Sequence, residues 1–174
     1  MATPLPPSTP IVSTWTAPPL GSFKLNCDVS WNPRNNRSGL GFLIQNHLSE
    51  TQVAISIPSM FNDILVGEEM AIRDGLLEAL SEGSYTLVVG TDNQDDIFYL
   101  RDFTKIPTLS IRSIVIDIKH LITYFDHVSF QYIPREANVV VDSLARRALS
   151  LTYGIVCPIP IPVFLLLQSH IPGV

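Results

Sequence analysis

Asp28 lies in the middle of a strictly alternating stretch, FKLNCDVSW, from Phe23 to Trp31. Phe23, Leu25, Cys27, Val29 and Trp31 fall on one side, and Lys24, Asn26, Asp28 and Ser30 on the other. A period of two marks a strand with one apolar face. Aspartate is depleted in strands because it competes for backbone hydrogen bonds and resists burial. A mid-strand carboxylate therefore answers either to solvent on an uncovered face or to a cation. Three further acids admit the same two answers. Glu68 lies in a helical pattern, where an acid near the helix N-terminus is ordinary. Asp92 ends a short apolar strand, where it can cap the next helix or line the strand-end crevice in which open α/β sheets place ligands. Asp142 lies in the last helical segment, off the stripe formed by Ala137, Val140, Val141, Leu144 and Ala148. The chemistry open to such a set is that of a hard divalent cation, which takes oxygen ligands.

These acids must be positioned by a recognisable series of elements. Strand patterns run over 22–31, 39–47 and 51–58, joined by short polar connections that favour antiparallel pairing. A helix spans about 64–82 and stops at Gly83. Its stripe is Leu65, Ile72, Leu76 and Ala79; Glu68 and Glu69 both fall near the edges, so periodicity does not choose between them. Tyr85 to Gly90 reads as a buried strand that should pair parallel with an earlier one. Helices are expected over 93–103 and 110–125, a fifth strand over 128–132, and a last helix over 135–150. A three-stranded meander followed by α, β, α, β, α gives a mixed five-stranded α/β sheet with flanking helices.

The domain so defined occupies residues 21–150. Residues 1–20 hold six prolines and read as an extended lead-in. Residues 151–174 are apolar but broken by Pro158, Pro160, Pro162 and Pro172. A membrane span needs ~20 uninterrupted apolar residues, so none is expected. This tail packs on the domain, hangs loose, or offers a patch to a protein partner or a membrane surface. A chain of 174 residues, 46% hydrophobic and 16% charged, is globular rather than disordered. Two cysteines without a C-x-x-C pair, and no secretory signal at the start, point to a reducing intracellular compartment, nucleus or cytoplasm. The net charge of -5, with eleven Lys and Arg, predicts weak binding to phosphate backbones.

The stretch from Trp15 to Trp31 resembles the opening of plant ribonuclease H-like domains, relatives of type 1 ribonuclease H that often derive from retroelements. Trp15, Pro18, Pro19, Gly21, Lys24, Asn26 and Asp28 fit the family's pattern. Gly39 to Asn46 is similar to its second strand, and Gly67 to Leu76 to its first helix. Thr91-Asp92-Asn93 is similar to the end of its fourth strand, and Pro134 to Ala145 (PREANVVVDSLA) to its closing motif. The resemblance runs over residues 15–149 with these motifs in order. It implies the ribonuclease H-like fold, with strand order 3-2-1-4-5 and strand 2 antiparallel. It implies Asp28, Glu68, Asp92 and Asp142 as catalytic residues and ligands of two Mg2+ ions, with Mn2+ as the alternative and Asp28 bridging the pair. Spacing to Ala71 and Gly75-Leu76 favours Glu68 over Glu69 within the motif. Arg135 and Asn138 are implied as substrate contacts. The implied activity is cleavage of the RNA strand of an RNA–DNA hybrid, whose A-form-like width and 2′-hydroxyls mark the RNA.

The chain departs from the family pattern at three places. Val29 follows the first acid where glycine is common, Glu69 replaces a small residue, and Tyr132 stands where many relatives carry a histidine. Together with the acidic balance, these favour a second reading: a domesticated retroelement domain, catalytically weak or inactive, that binds nucleic acid or a protein.

Overall fold

The computed structural model describes residues 15–157 and 159; the expectations for residues 1–14, 158 and 160–174, including most of the partner-binding tail, lie outside the described residues. The alternating stretch forms β1 (Phe23–Asn32), which pairs antiparallel with β2 (Arg37–Asn46) in a register that sets Asp28 opposite Gly41. β2 pairs antiparallel with β3 (Thr51–Ser59). On its other side β1 runs parallel to β4 (Thr86–Thr91), which runs parallel to β5 (His127–Tyr132). The expected order of five strands is present, and a sixth extends it. The two-residue β6 (Ile155–Val156) adds antiparallel to β3, giving the order β5-β4-β1-β2-β3-β6. The correction has a simple cause: two residues carry no readable alternation, yet they occupy backbone groups that an edge strand would leave open. The amide of Cys157 continues the pairing by donating to the carbonyl of Ala54 at 2.7 Å.

Among the described residues four α-helices cover the sheet: α1 (Ile64–Ser81), α2 (Gln94–Arg101), α3 (Arg112–Ile122) and α4 (Val139–Ala148). Consecutive β2 residues point to opposite faces, and the core divides accordingly. Phe42 and Ile44 join a large cluster with Leu25, Ile72 and Leu76, into which Val115 and Ile118 of α3 also pack. Leu43 joins a smaller one with Ala54, Val141 and Leu144. α1 and α3 therefore lie on one face and α4 on the other. α4 sits very close. A Cβ at Gly41 would fall 2.5 Å from the Val141 carbonyl oxygen and the Ala145 nitrogen, so only glycine admits the helix there.

The polar side of β1 is thus covered. Lys24 and Asn26 are buried, and the Lys24 ammonium donates to the Thr16 carbonyl at 2.9 Å while lying over the Trp15 ring. The last helix differs from its expected span. Residues Arg135–Ala137 form a 3-10 turn, and α4 begins only after Asn138, whose backbone (φ −105, ψ 12) departs from the helical region. α2 ends at Arg101 because Asp102 is extended and its carboxylate accepts from the Thr104 amide at 2.9 Å, making a local turn.

Candidate metal centre

The β1–β4 ladder ends at the Asn26–Gly90 rung. Asp28 and Asp92 stand two residues beyond it, each at the same distance past the last pair. They flank the crevice that opens where the parallel pairing stops, just past the carboxyl end of β4, the usual ligand side in such sheets. Asp28 is fixed further by its own strand: its Oδ1 accepts from the Val29 amide at 2.8 Å.

Glu68 reaches this crevice from α1. The helix is capped by Asp63, whose Oδ1 accepts from the Leu65 amide at 3.0 Å, so Glu68 falls past the first turn and is not a terminal acid. The rotation of the helix is set by Gly67, whose missing Cβ leaves room for the Phe61 ring; that Cβ would stand 2.7 Å from the ring carbons. With Gly67 seated there, Glu68 looks into the crevice and Glu69 into the core. One carboxylate oxygen from each of Asp28, Glu68 and Asp92 lies within 4.8 Å of the others. Asp92 is free for this because the α2 cap is the next residue: Asn93 Oδ1 accepts from the Asp95 amide at 3.0 Å.

Asp142, in the first turn of α4, does not belong to that tight trio but lines the same cavity of about 420 Å³. Val29, Ile64 and Val139 form its apolar walls. Two arginines stand at its acids. Arg135, 88% exposed at the side chain, pairs with Asp92 at 3.0 Å, and Arg146 pairs with Asp142 at 3.1 Å one helical turn on. The two inner acids are held far from their ordinary state. Burial, and then the Asp92 charge, push the Asp28 carboxyl up to about 7. Burial, and then the Asp28 charge, push Glu68 up to about 9. Like charges held together out of water protonate unless a cation joins them. A donor set of carboxylate oxygens, with no thiolate or imidazole in the trio, fits a hard divalent ion.

The remaining expected residues stand elsewhere around the site. Asn138 is buried at 2% exposure and donates from Nδ2 to the Cys27 carbonyl at 3.0 Å; it is not among the residues lining the acid cavity. Tyr132, at the end of β5, is 43% exposed. A larger cavity of about 790 Å³ lies on the opposite side of the Asn138 turn, but Glu50 is the one acid in its lining, so it offers no comparable cation site.

Two features had no signal in the pattern of the chain. Arg146 carries no motif; only its i,i+4 spacing from Asp142 hints at the pair. Glu69 and Asp96 form a second acid pair, both fully buried behind the site. Asp96 Oδ2 accepts from the Thr91 hydroxyl at 3.1 Å. Both Glu69 oxygens and Asp96 Oδ1 lack a hydrogen-bond partner beyond what the two carboxyls give each other. Burial raises the pKa of both, so a proton is retained within the pair.

No curated protein sequence matches the chain. Among solved structures, ribonuclease H1 from the halophilic archaeon Halobacterium salinarum is 19% identical with a TM-score of 0.68, over 74% of this chain and 97% of that one. The N-terminal ribonuclease H domain of a Mycobacterium tuberculosis protein is 16% identical with a TM-score of 0.68, over 74% of this chain and 93% of that one. LC11 ribonuclease H1, isolated from compost and solved in complex with an RNA/DNA hybrid, is 18% identical with a TM-score of 0.67, over 74% and 96%. These likenesses show the fold. The sequence profile described as reverse transcriptase-like matches residues 26–148, well over half of the chain. With four acids drawn into one cavity on a ribonuclease H-like sheet, the chain belongs to the reverse transcriptase-like family.

Proposed function

We propose that this domain is a metal-dependent endonuclease that hydrolyses the RNA strand of RNA–DNA hybrids. The observation that carries the reading is the convergence of Asp28, Glu68 and Asp92 oxygens within 4.8 Å, with Asp142 across the same cavity. Asp28, Glu68 and Asp92 would hold one Mg2+ or Mn2+, and Asp28 with Asp142 a second. Such ions supply an activated water and charge neutralisation at the leaving oxygen. The chain's own residues prepare the rest. The Val29 amide fixes the Asp28 carboxylate. The exposed Arg135 guanidinium at the rim is free to turn from Asp92 to a phosphate oxygen. Tyr132 puts a phenol where many relatives carry a histidine, so the acid–base help an imidazole gives is missing and turnover is slow. Few basic side chains reach the cavity, so binding is weak and salt-sensitive. Among the described residues no helix is long and apolar enough to cross a membrane. We place the domain in a reducing compartment, nuclear or cytoplasmic, from its two cysteines without a C-x-x-C pair.

A labelled RNA–DNA hybrid incubated with Mg2+ or Mn2+ tests the reading: cleavage should need the ion and vanish in Asp28→Asn. A specific observation favours the second reading, a non-catalytic interaction module. Phe98, Phe103, Ile106, Leu109 and Ile116 are all more than half exposed around the α2–α3 connection, an apolar exposure that protein contacts use. Binding of a protein partner with no hybrid cleavage under either ion would decide for it.

A further inference from the structure

We propose that Asn138 is a positioning residue: through the Cys27 carbonyl it ties α4, and Asp142 with it, to the strand that carries Asp28, so that the two acids can share a second divalent ion. The proposal rests on the metal-dependent reading above. Asn138 occupies the N-cap position of α4, where asparagine normally accepts from its own helix and stabilises it by about 1 kcal/mol. Here it makes no such capping bond. The caps of α1 and α2, Asp63 and Asn93, do make them. Asn138 instead directs Nδ2 across to β1, where it donates to the Cys27 carbonyl at 3.0 Å, fully out of water.

Both ends of that bond lead directly to a ligand. Cys27 precedes Asp28 in β1. The carbonyl of Asn138 accepts from the Asp142 amide at 3.1 Å, the first turn of α4. One side chain therefore joins the strand that carries the central acid to the helix that carries the outlying one. The Asp28, Glu68 and Asp92 trio needs no help from this bond, because β1, β4 and α1 are tied by the sheet ladder and the main core. Asp142 rides on α4, which packs on the opposite face in a small separate cluster. The seat at Gly41 limits how near α4 comes. Beside the acids, its attachment to β1 by a side-chain hydrogen bond is the Asn138 contact. Outer partners that orient metal ligands characteristically change metal affinity by about 10–100-fold.

The test is Mn2+ binding to the full chain, followed by electron paramagnetic resonance of the free ion, in wild type, Asn138→Ala, the similarly shaped but donor-free Asn138→Leu, Asp142→Asn and the Asn138→Ala/Asp142→Asn double variant. Circular dichroism verifies that each is folded. Wild type should bind two ions. Both Asn138 variants should leave the tighter ion unchanged and weaken the second by about tenfold or more. In the double variant the second ion should bind no more weakly than in Asp142→Asn alone. A merely structural asparagine would move both affinities together or neither, and either result overturns the proposal. So does additive loss in the double variant. A wild type that binds no Mn2+ removes the metal reading itself, which separates that failure from the failure of Asn138.

Discussion

Glu68 and Glu69 are neighbours in α1, and Asp92 and Asp96 lie four residues apart, yet they serve opposite ends. Glu68 and Asp92 join Asp28 in a cavity open to solvent, with arginines at its rim. Glu69 and Asp96 meet in the core with no exposed surface, and no ion pair to either is formed among the described residues. Glu68 beside the cavity, like Glu69 and Asp96 in the core, is a buried acid with a raised pKa. The difference lies in access. A buried carboxyl cluster must acquire a positive partner; where there is room for a hydrated ion the partner can be a metal, and where there is none it is a proton. Acidity and burial alone therefore do not identify a metal site, and the open volume beside the acids does.

The sharpest way to break this contrast is activity. Asp28→Asn should lower hybrid cleavage by about 10³-fold or more, several kcal/mol of lost charge stabilisation. Glu69→Gln should stay active within a few-fold, since its side chain never meets the cavity. Equal losses in the two variants would erase the distinction between the clusters.

Metal-linked stability is the next effect in size. Mg2+ or Mn2+ should raise the melting temperature of the wild type and of Glu69→Gln by several degrees, about 2–3 kcal/mol at a hundredfold excess over Kd. In Asp28→Asn the rise should disappear. A full rise in Asp28→Asn would place the bound ion elsewhere.

The pH dependence of the metal-free protein follows from the raised values. Asp28 moves from 3.8 to about 7 and Glu68 from 4.5 to about 9. The folded state then holds protons that the unfolded chain has released. This stabilisation is complete below about pH 4 and is lost as pH climbs through 7 to 9. Melting temperature without metal should therefore fall from pH 5 to pH 9, and Mg2+ should restore more of it at pH 8 than at pH 5. Glu69→Gln, which keeps a donor toward Asp96 without a titrating proton, should flatten the slope and gain about 1 kcal/mol at pH 8. An unchanged slope in the thermal scans of Glu69→Gln would mean that the Glu69–Asp96 pair does not retain a proton.

The smallest effect belongs to Tyr132. Tyr132→His should leave cleavage unchanged or raise it by at most about tenfold, less than the ~10²–10⁴-fold that a well-placed acid–base group contributes. A large loss in steady-state rate would mean that the phenol itself contacts substrate.

Much of this arrangement was legible in the chain. Alternation places β1 and fixes Asp28 within it, and the spacing of short polar joints gives the meander and its partners. The choice between Glu68 and Glu69 was not open to periodicity, because both border the apolar stripe. It depends on Gly67 seating against Phe61, a contact made across the turn into the helix. The cap of α2 shows the same limit. Asp92 and Asn93 are both good capping types, and only the strand end decides that Asn93 takes the role. β6 escaped because pairing, not pattern, defines so short a strand. The link from Asn138 to Cys27 joins residues 111 apart, and no local rule reaches that far.

The position of Asp28 and Asp92 two residues beyond the final β1–β4 rung has an evolutionary consequence. The site is indexed by backbone count rather than by the identity of its neighbours. Substitutions can accumulate around it while the acids still arrive together, provided that no residue is gained or lost between the rung and either carboxylate. A single insertion after Asn26 would turn Asp28 to the opposite face of its strand. For such a domain, tolerance to substitution and intolerance to insertion at that point should coexist.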